Sequence, residues 1–470
     1  MPDPKASAAS PRRASTFHLV FLTYSVICSG AYGLEEMITA SGPGLALLMM
    51  VLLPLIWSVP ICLACAELAS HYPVEGGYYR WARMAFGDFA GYQTGWLVGL
   101  ANLATNAAFA VLFANYLGYF LPGLGDGERW YAALALVWGA TLLNVLGIRL
   151  VGATSVVLTA VIFLPFLFMA MLGLLQWRHN PVVPFMPPGM GLPAALGQGL
   201  MIALWLYSGY EKLTPNAGEV ENPSRAFPIA LAISLPMVVG SYLVPTVVGL
   251  AARDNWSAWG EAHFAVLAEQ IGGRWLGVLM TFGALVSNAC ILMVTTLGQS
   301  RLPMVMAEDG LFPRAFGRVG RRFGTPVVSL VAGGIALTFL TRIRFVDLTG
   351  LFSLVQVLAY VLIFASLLRL RARPARGGGG AGEQGGAGAE RPGETGGGGS
   401  APFTIPLGRA GLVAMMLPGF AIALWVVAQR LWNGGRFDGR RALVDLAVFA
   451  SGPVTYLLFR RRRGGPPKGK

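Results

Sequence analysis

Apolar runs of about 20 residues recur along almost the whole chain, and they decide what this sequence can fold into. Of its 470 residues, 55% are hydrophobic and only 12% are charged, about half the charged share of a typical soluble domain. The runs are continuous rather than alternating, and in lipid only helices and closed barrels satisfy every backbone group. The sequence therefore predicts an all-α polytopic membrane protein whose surroundings are the lipid bilayer.

The runs divide into twelve predicted membrane-spanning helices. The spans are residues 17–40, 44–68, 89–121, 130–146, 151–177, 197–213, 228–251, 275–297, 326–340, 348–370, 411–431 and 442–459. The first ten form a core, 17–370, in halves of about 17–177 and 197–370, and the last two lie within 409–460. The first run is too long for a signal peptide, and the second begins almost at once, so we interpret it as a retained helix.

The basic residues predict the orientation. Most of the 35 Lys and Arg residues fall in the termini and in the loops on their side of the membrane, which places both termini in the cytoplasm. The arm 1–16 and the basic tail 461–470 are then cytoplasmic. Residues 371–408 are Gly-rich, bury little and are predicted to be a disordered cytoplasmic linker. We expect a multi-pass protein of the plasma (inner) membrane.

Several classes of function are excluded by what the sequence lacks. The net charge of +13 gathers at the flanks of spans, which explains it without a nucleic-acid partner. The four cysteines fall inside predicted spans, and the four histidines are scattered. The sequence shows no metal site, no nucleophile motif and no sign of a cofactor, so we predict that the protein is not an enzyme.

Two spans are interrupted by glycine and followed by acid. In the first span the interrupting residues are Gly30, Ala31, Tyr32 and Gly33, followed by Glu35 and Glu36. In the sixth they are Tyr207, Ser208, Gly209 and Tyr210, followed by Glu211 and Pro215. Glycine also serves simple helix packing in membranes. Paired interruptions at matching positions in two halves are instead typical of a transporter's substrate site.

The chemistry of such breaks suits a zwitterion. An unwound turn is tolerated at mid-membrane only beside a cavity or other protein. The helix that begins after Gly33 presents free N–H groups to a carboxylate, and carbonyls near Tyr207 and Gly209 would accept from an amine. We expect Tyr32 and Tyr210 to act as gates.

The acids are further candidates because a carboxylate in mid-membrane costs about 2.5–3.5 kcal/mol. Adjacent helical residues point about 100° apart. Glu36, four residues after Tyr32, is therefore the better candidate for substrate or proton binding, whereas Glu35 either couples a proton or lies solvated at the outer vestibule. Glu211, directly after the second break, is the strongest candidate to help bind the substrate amine.

Four segments resemble the amino acid–polyamine–organocation superfamily. They are "SGAYGLEEMITASGPGLALL" (29–48), "AELASHYPVEGGYYRWARMAFG" (66–87), "GYEKLTPNAGEVENPSRAFPIAL" (209–231) and "SRLPMVMAEDGLFPRAF" (300–316). The resemblance implies the leucine-transporter-type fold of five plus five inverted helices and two more. It further implies a secondary transporter that moves its substrate by alternating access.

Within the superfamily, the residues of these segments most resemble the branch of plant-type polyamine and L-type amino-acid transporters. The plant polyamine members of that branch carry acids where this chain has Ile61 and Thr105. Each missing carboxylate removes an attraction for a polycation, so we expect an amino acid as the substrate. The alternative is an importer of polyamines or cationic amino acids. A non-transporting sensor of the same fold is disfavoured because the chain has no sizeable soluble domain.

The remaining assignments concern the pocket wall and coupling. We expect Asn106 on the third span to line the pocket. A coupling cation would lie at Ser287 and Asn288 on the eighth span, although such residues more often bond neighbouring helices. Proton coupling through Glu35, Glu36 or Glu211, and plain exchange, are the alternatives.

Overall fold

The protein is described by a computed structural model. The described residues are 16–28, 30–74, 76–147, 155–210, 212, 223–253, 255–320, 323–372, 402–433 and 436–461. The predicted linker 371–408 lies mostly outside them, as do the first 15 residues and Glu211.

Helices make up almost all of the described structure. In the first half they are α1 (Thr16–Ile27), α2 (Glu35–Ser41), α3 (Pro43–Leu53), α4 (Val59–His71), α5 (Gly77–Phe86), α6 (Asp88–Leu117), α7 (Asp126–Val145) and α8 (Ser155–Leu174). In the second half they are α9 (Leu192–Leu206), α10 (Pro223–Ala252), α11 (His263–Gly272), α12 (Arg274–Glu308), α13 (Val327–Leu340) and α14 (Phe345–Arg371). The last two are α15 (Arg409–Leu431) and α16 (Gly439–Arg461), joined by a hairpin of β1 (Trp432–Asn433) and β2 (Arg436–Phe437).

These helices confirm the predicted all-α polytopic fold. Among the described residues, seven helices are long and apolar enough to cross a membrane: α3 with α4, α6, α10, α12, α14, α15 and α16. Shorter apolar helices occupy Val161–Leu174, Leu192–Leu206 and Val327–Leu340. Each of the twelve predicted spans contains at least part of a helix, and α5 and α11 lie in the loops between spans.

Helix α6 packs against α5, α7, α12 and α14. The residues that it buries include Ala101, Ala104, Ala107 and Ala108. Side chains this small let helix backbones approach closely, which is how membrane helices gain packing energy without a hydrophobic effect between them. This arrangement packs the third span against the eighth and tenth spans.

The second span is also irregular. Residues Pro54–Ser58 form a π-helical turn between α3 and α4. Pro54 and Pro60 both lack the backbone N–H that a regular α-helix would use, and single π turns are common at functional sites. The turn lies beside the interruption of the sixth span, to which Trp57 and Ser58 donate hydrogen bonds.

Candidate functional site

The first span is unwound where the sequence predicts it. Helix α1 ends at Ile27 and α2 begins at Glu35. Gly30 and Gly33 have φ angles of +99° and +91°, a region that residues with a Cβ rarely adopt. A Cβ on Gly33 would also lie 2.8 Å from Leu112 Cδ1. Glycine is therefore required here both by the backbone conformation and by the close packing of α6.

The sixth span leaves the helix at Tyr207. Gly209 has a φ of +115°, and its N–H donates to the Tyr360 hydroxyl at 3.2 Å. The π turn of the second span holds this break: Ser58 Oγ donates to the Tyr207 carbonyl at 2.9 Å, and Trp57 Nε1 donates to Ser208 Oγ at 3.0 Å. The Tyr207 carbonyl, predicted to accept from a substrate amine, already accepts from Ser58.

A pocket lies between the two breaks. Its cavity volume is about 30 Å³. The pocket is therefore narrow. Its lining residues are Ile27, Gly30, Tyr32, Thr105, Phe109, Trp205, Leu206, Ser208, Lys212, Tyr242, Ser287, Asn288, Ile291 and Phe352.

The pocket brings together only part of the predicted site. The predicted residues in its wall are Gly30, Tyr32, Ser208, Ser287 and Asn288. The predicted residues that are buried around it without lining it are Ala31, Gly33, Tyr207, Gly209 and Tyr210. Glu35 and Glu36 do not line the pocket either, and Glu211 lies outside the described residues.

Asn106 does not line the pocket, so that prediction needs correction. Its amide donates to Gln299 Oε1 at 2.8 Å and accepts from Thr295 Oγ1 at 2.7 Å. Both partners belong to α12, so Asn106 bonds two helices together. The preceding residue, Thr105, points into the pocket instead. The one-residue difference reflects the rotation of α6, which its partners on α12 set.

Glu35 is enclosed by protein and is not solvated. Only 1% of the residue is exposed. Its carboxylate accepts from the Gly33 N–H at 2.7 Å, from the Phe264 N–H at 3.4 Å and from the Tyr116 hydroxyl. The carboxylate thus joins the first break to α6 and to α11. Because the Gly33 N–H is engaged by Glu35, it does not offer a free donor to a substrate carboxylate.

Glu36 lies in a charged cluster at the predicted extracellular end of the bundle. Its carboxyl is in contact with Glu261, and Arg344 and Arg129 lie near the pair. Asn115 donates its amide hydrogen to Glu261. Burial raises the pKa of Glu261, which lies in the loop before α11.

The predicted helical face shared by Tyr32 and Glu36 does not form, because residues 30–34 are not helical. The tyrosine that neighbours Tyr32 is Tyr116, with ring centroids 5.3 Å apart, and Tyr116 bonds to Glu35 instead. The periodicity argument was wrong here because it assumed a continuous helix.

Of the two predicted gates, Tyr32 lies in the pocket wall and packs against Phe166 with ring centroids 4.9 Å apart. Tyr210 is buried next to Cys62 and does not line the pocket.

Four further residues of the pocket wall were not predicted from the sequence: Phe109, Trp205, Tyr242 and Phe352. They are apolar or aromatic residues within spans, so nothing in the sequence distinguishes them from ordinary core.

A second charged cluster lies at the predicted cytoplasmic end. Asp309, which follows α12, contacts Arg83 Nη1 at 2.9 Å and Arg80 Nη2 at 3.5 Å. It also accepts from the Tyr79 hydroxyl at 2.9 Å. Burial, together with the Asp309 charge, raises the pKa of Tyr79, so this hydroxyl keeps its proton and donates. The cluster fastens α5 to the end of the eighth span.

Among the described residues, no group of three or more His, Cys, Asp or Glu is placed to hold a metal ion. The polar contribution to the pocket comes from hydroxyl groups, one amide and one lysine. This set suits recognition of a small polar molecule.

Comparison with known proteins identifies the family. The profile of the amino acid permease family matches residues 15–428. A probable polyamine transporter of Arabidopsis thaliana is 31% identical over 89% of this chain and 79% of its own length. Polyamine transporter RMV1 of the same plant is 30% identical over 88% of this chain and 81% of its own. Polyamine transporter PUT1 of Oryza sativa is 30% identical over 91% and 76%.

The match spans nearly the whole described bundle, including both interrupted helices and the pocket between them. Together with the helical fold, it makes the protein a membrane transporter and not an enzyme. The chain belongs to the amino acid permease family of the amino acid–polyamine–organocation superfamily.

Proposed function

We propose that the protein transports amino acids by alternating access and holds its substrate in the pocket between the first and sixth spans. The observation that carries the proposal is the composition of the pocket wall. Among its described residues there is no Asp or Glu, and Thr105 is part of the wall. Thr105 is one of the two positions where the resemblance leads us to expect an acid in a plant polyamine transporter.

The charge balance of possible substrates supports this choice. A polyamine carries two or more ammonium groups, and burying an unpaired charge is expensive. A neutral amino acid carries both charges on adjacent groups, so its net charge needs no compensation from the wall. The aromatic and aliphatic side chains of Phe109, Trp205 and Ile291 suit an apolar side chain on the substrate.

A polyamine or cationic amino acid is the second candidate. The relatives named above are polyamine transporters by name. In this alternative Glu35, Glu36 and Glu211 would neutralise the cation. In the described structure, however, Glu35 is already committed to three donors, and Glu36 lies in the outer cluster rather than in the pocket wall.

The proposal includes location and coupling. We place the protein in the plasma membrane with both termini in the cytoplasm, because basic residues concentrate on that side. For coupling, a cation at Ser287 and Asn288 is supported by their position in the pocket wall, and a proton is the alternative. Of the candidate proton acceptors, Glu35 has the closest connection to the first break.

Uptake by purified protein in liposomes tests the substrate class. Radiolabelled neutral amino acids are the substrates, and unlabelled leucine, arginine, putrescine and spermidine are the competitors. We expect uptake of a neutral amino acid that leucine inhibits and spermidine does not. Thr105→Asp should raise inhibition by putrescine, whereas Thr105→Ser, which keeps the hydroxyl, should not. Uptake of polyamines but not amino acids by the unaltered protein would overturn the proposal.

A further inference from the structure

We propose that residues 402–407, which we call the strap, tie the second span to the tenth and must release for the pocket to open to the cytoplasm. The strap directly precedes α15 and lies at the predicted cytoplasmic end of the bundle, against the ends of α4 and α14. This inference rests on transport by alternating access, but it does not depend on the class of substrate.

Two charged side chains hold the backbone of Ile405 in the strap. Glu67, near the end of α4, accepts from the Ile405 N–H at 2.8 Å. Arg371, the last residue of α14, donates to the Ile405 carbonyl at 2.7 Å. The two side chains also contact each other, with 3.4 Å between Arg371 Nε and Glu67 Oε1. A single residue of the strap thus joins the second span to the tenth.

The residues before Ile405 also contact α4. The Phe403 N–H donates to Ser70 Oγ at 2.7 Å, and Thr404 Oγ1 lies 3.0 Å from His71 Nε2, within hydrogen-bond distance. The Ile405 side chain is only 1% exposed. Three successive residues of the strap are therefore bound to the last two turns of α4.

These contacts are more than the connection between α14 and α15 requires. The strap is extended, as expected where Pro406 restricts Ile405. Residues 373–401 separate α14 from the strap, and a chain of that length can reach α15 without passing α4. The contacts with α4 are therefore an addition to the connection, and they point to a role of their own.

Helix α4 connects the strap with the break of the sixth span. The second span is continuously helical from the π turn at Pro54–Ser58 through α4. Ser58 donates to the Tyr207 carbonyl at the break, and Glu67 lies about 13 Å further along the same helical rod. A movement of the second span at the strap is therefore transmitted to the substrate pocket.

The strap also crosses between two groups of helices. In one group α4 packs against α10, which packs against α1. In the other, α14 and α12 both pack against α6. Alternating access is largely a rocking of one such group against another around a fixed site. While Glu67 and Arg371 both hold Ile405, the two groups cannot separate at this end, so the strap stabilises the closed arrangement.

A reversible cross-link between the strap and α4 tests this inference. Because the side chains of His71 and Thr404 are in contact, cysteines in the double variant His71→Cys, Thr404→Cys can be bridged by a short bifunctional thiosulfonate. The full-length variant is bridged in detergent, and half of it is then reduced with dithiothreitol. Both halves are reconstituted in liposomes, and uptake is measured with the substrate, amino acid or polyamine, that the unaltered protein takes up best.

We expect the bridged half to lose uptake and the reduced half to regain it. The single variant Thr404→Cys, treated in the same way, is the control for reaction at the natural cysteines and should keep its uptake. Equal uptake by the bridged and reduced halves would overturn the inference. If mass spectrometry shows that no bridge forms, the strap does not lie against α4 and the inference is equally wrong.

Hydrogen exchange tests the anchoring of the strap without a cross-link. Ser70→Ala removes the acceptor of the Phe403 N–H, so exchange in residues 402–407 should become roughly fivefold faster. Ser366→Ala is the matched control, because the Ser366 hydroxyl donates to the Leu362 carbonyl within α14. It should leave exchange in the strap unchanged. Equal exchange in Ser70→Ala and the unaltered protein would contradict the anchoring.

The failure of this inference differs from the failure of the proposed function. If the unaltered protein takes up amino acids and the bridged variant does so equally well, only the role of the strap is wrong. If the unaltered protein takes up polyamines alone and bridging stops that uptake, the proposed substrate is wrong and the strap keeps its role.

Discussion

Asp309→Asn is expected to loosen the attachment of α5 to the eighth span at the predicted cytoplasmic end. The side chain of Asp309 is 16% exposed and contacts Arg83 at 2.9 Å and Arg80 at 3.5 Å. Tyr79 donates to the same carboxylate at 2.9 Å. Asparagine keeps the shape and one oxygen acceptor but removes the charge that both arginines share.

The size of the effect follows from these three contacts. Because the two arginine side chains are 36% and 32% exposed, solvent screens them, and each ion pair contributes about 0.2–1 kcal/mol. A hydrogen bond to a charged acceptor is worth about 1.5–3 kcal/mol, against about 1 kcal/mol for a neutral one. The total loss is about 2 kcal/mol, which corresponds to a roughly 30-fold change in the equilibrium for separating α5 from α12.

Hydrogen exchange of the α5 amides measures this separation directly, because local opening limits exchange of protected amides. We expect exchange in Gly77–Phe86 to become roughly 30-fold faster in Asp309→Asn. Asp88→Asn is the matched control: Asp88 also contacts Arg83, at 2.7 Å, but it is 41% exposed and belongs to α6. Its effect on α5 should be several times smaller. Equal exchange rates in Asp309→Asn and the unaltered protein would refute the assignment of the cluster as a fastening between α5 and α12.

Three other changes have expected outcomes that the structure determines. Asp445→Asn should lower the free energy of unfolding by about 3–5 kcal/mol in a denaturation assay, because Asp445 accepts two hydrogen bonds from Arg430, at 2.7 and 3.0 Å. Replacing both Asp445 and Arg430 with apolar residues should lower the free energy of unfolding by less in the same assay. The raised pKa of Glu261 means that folding favours its protonated form, so this stabilisation is complete below the ordinary pKa of about 4.3 and is lost as the pH rises through the folded-state pKa. Glu261→Gln should therefore flatten the decline of the melting temperature with rising pH, and an unchanged slope would contradict the assignment. Gly33→Ala should destabilise the protein by at least about 1 kcal/mol through its φ of +91°, whereas Gly99→Ala, in open space within α6, should stabilise it by about 0.5–1 kcal/mol.

The fold class and the two helix breaks were predictable from the sequence because both depend on local physical chemistry. A run of about 20 apolar residues must be helical in lipid wherever it occurs. Likewise Gly30, Gly33 and Gly209 permit positive φ angles whatever surrounds them. These features depend only on residues that are close together in the chain, so the sequence alone predicts them.

The direction of individual side chains was decided by tertiary contacts instead. Asn106 forms its side-chain hydrogen bonds with α12, and Thr105 rather than Asn106 lines the pocket. Glu35, rather than Glu36, becomes the enclosed carboxylate because Tyr116 and the backbone of α11 meet it there. Helical periodicity specifies the angle between neighbouring side chains only where the helix is continuous, and it never specifies which neighbouring helix each face meets.

The composition of the pocket was also decided by tertiary contacts rather than by local sequence. Lys212 lies in the pocket wall, and its side chain packs over Gly209. The aromatic residues of the pocket wall come from spans that are more than one hundred residues apart in the chain, such as those of Phe109 and Phe352. The sequence by itself determines which helices can break and where they do so. Only tertiary packing brings distant side chains to the broken segments, because the contacts that orient them are made between helices and not along them.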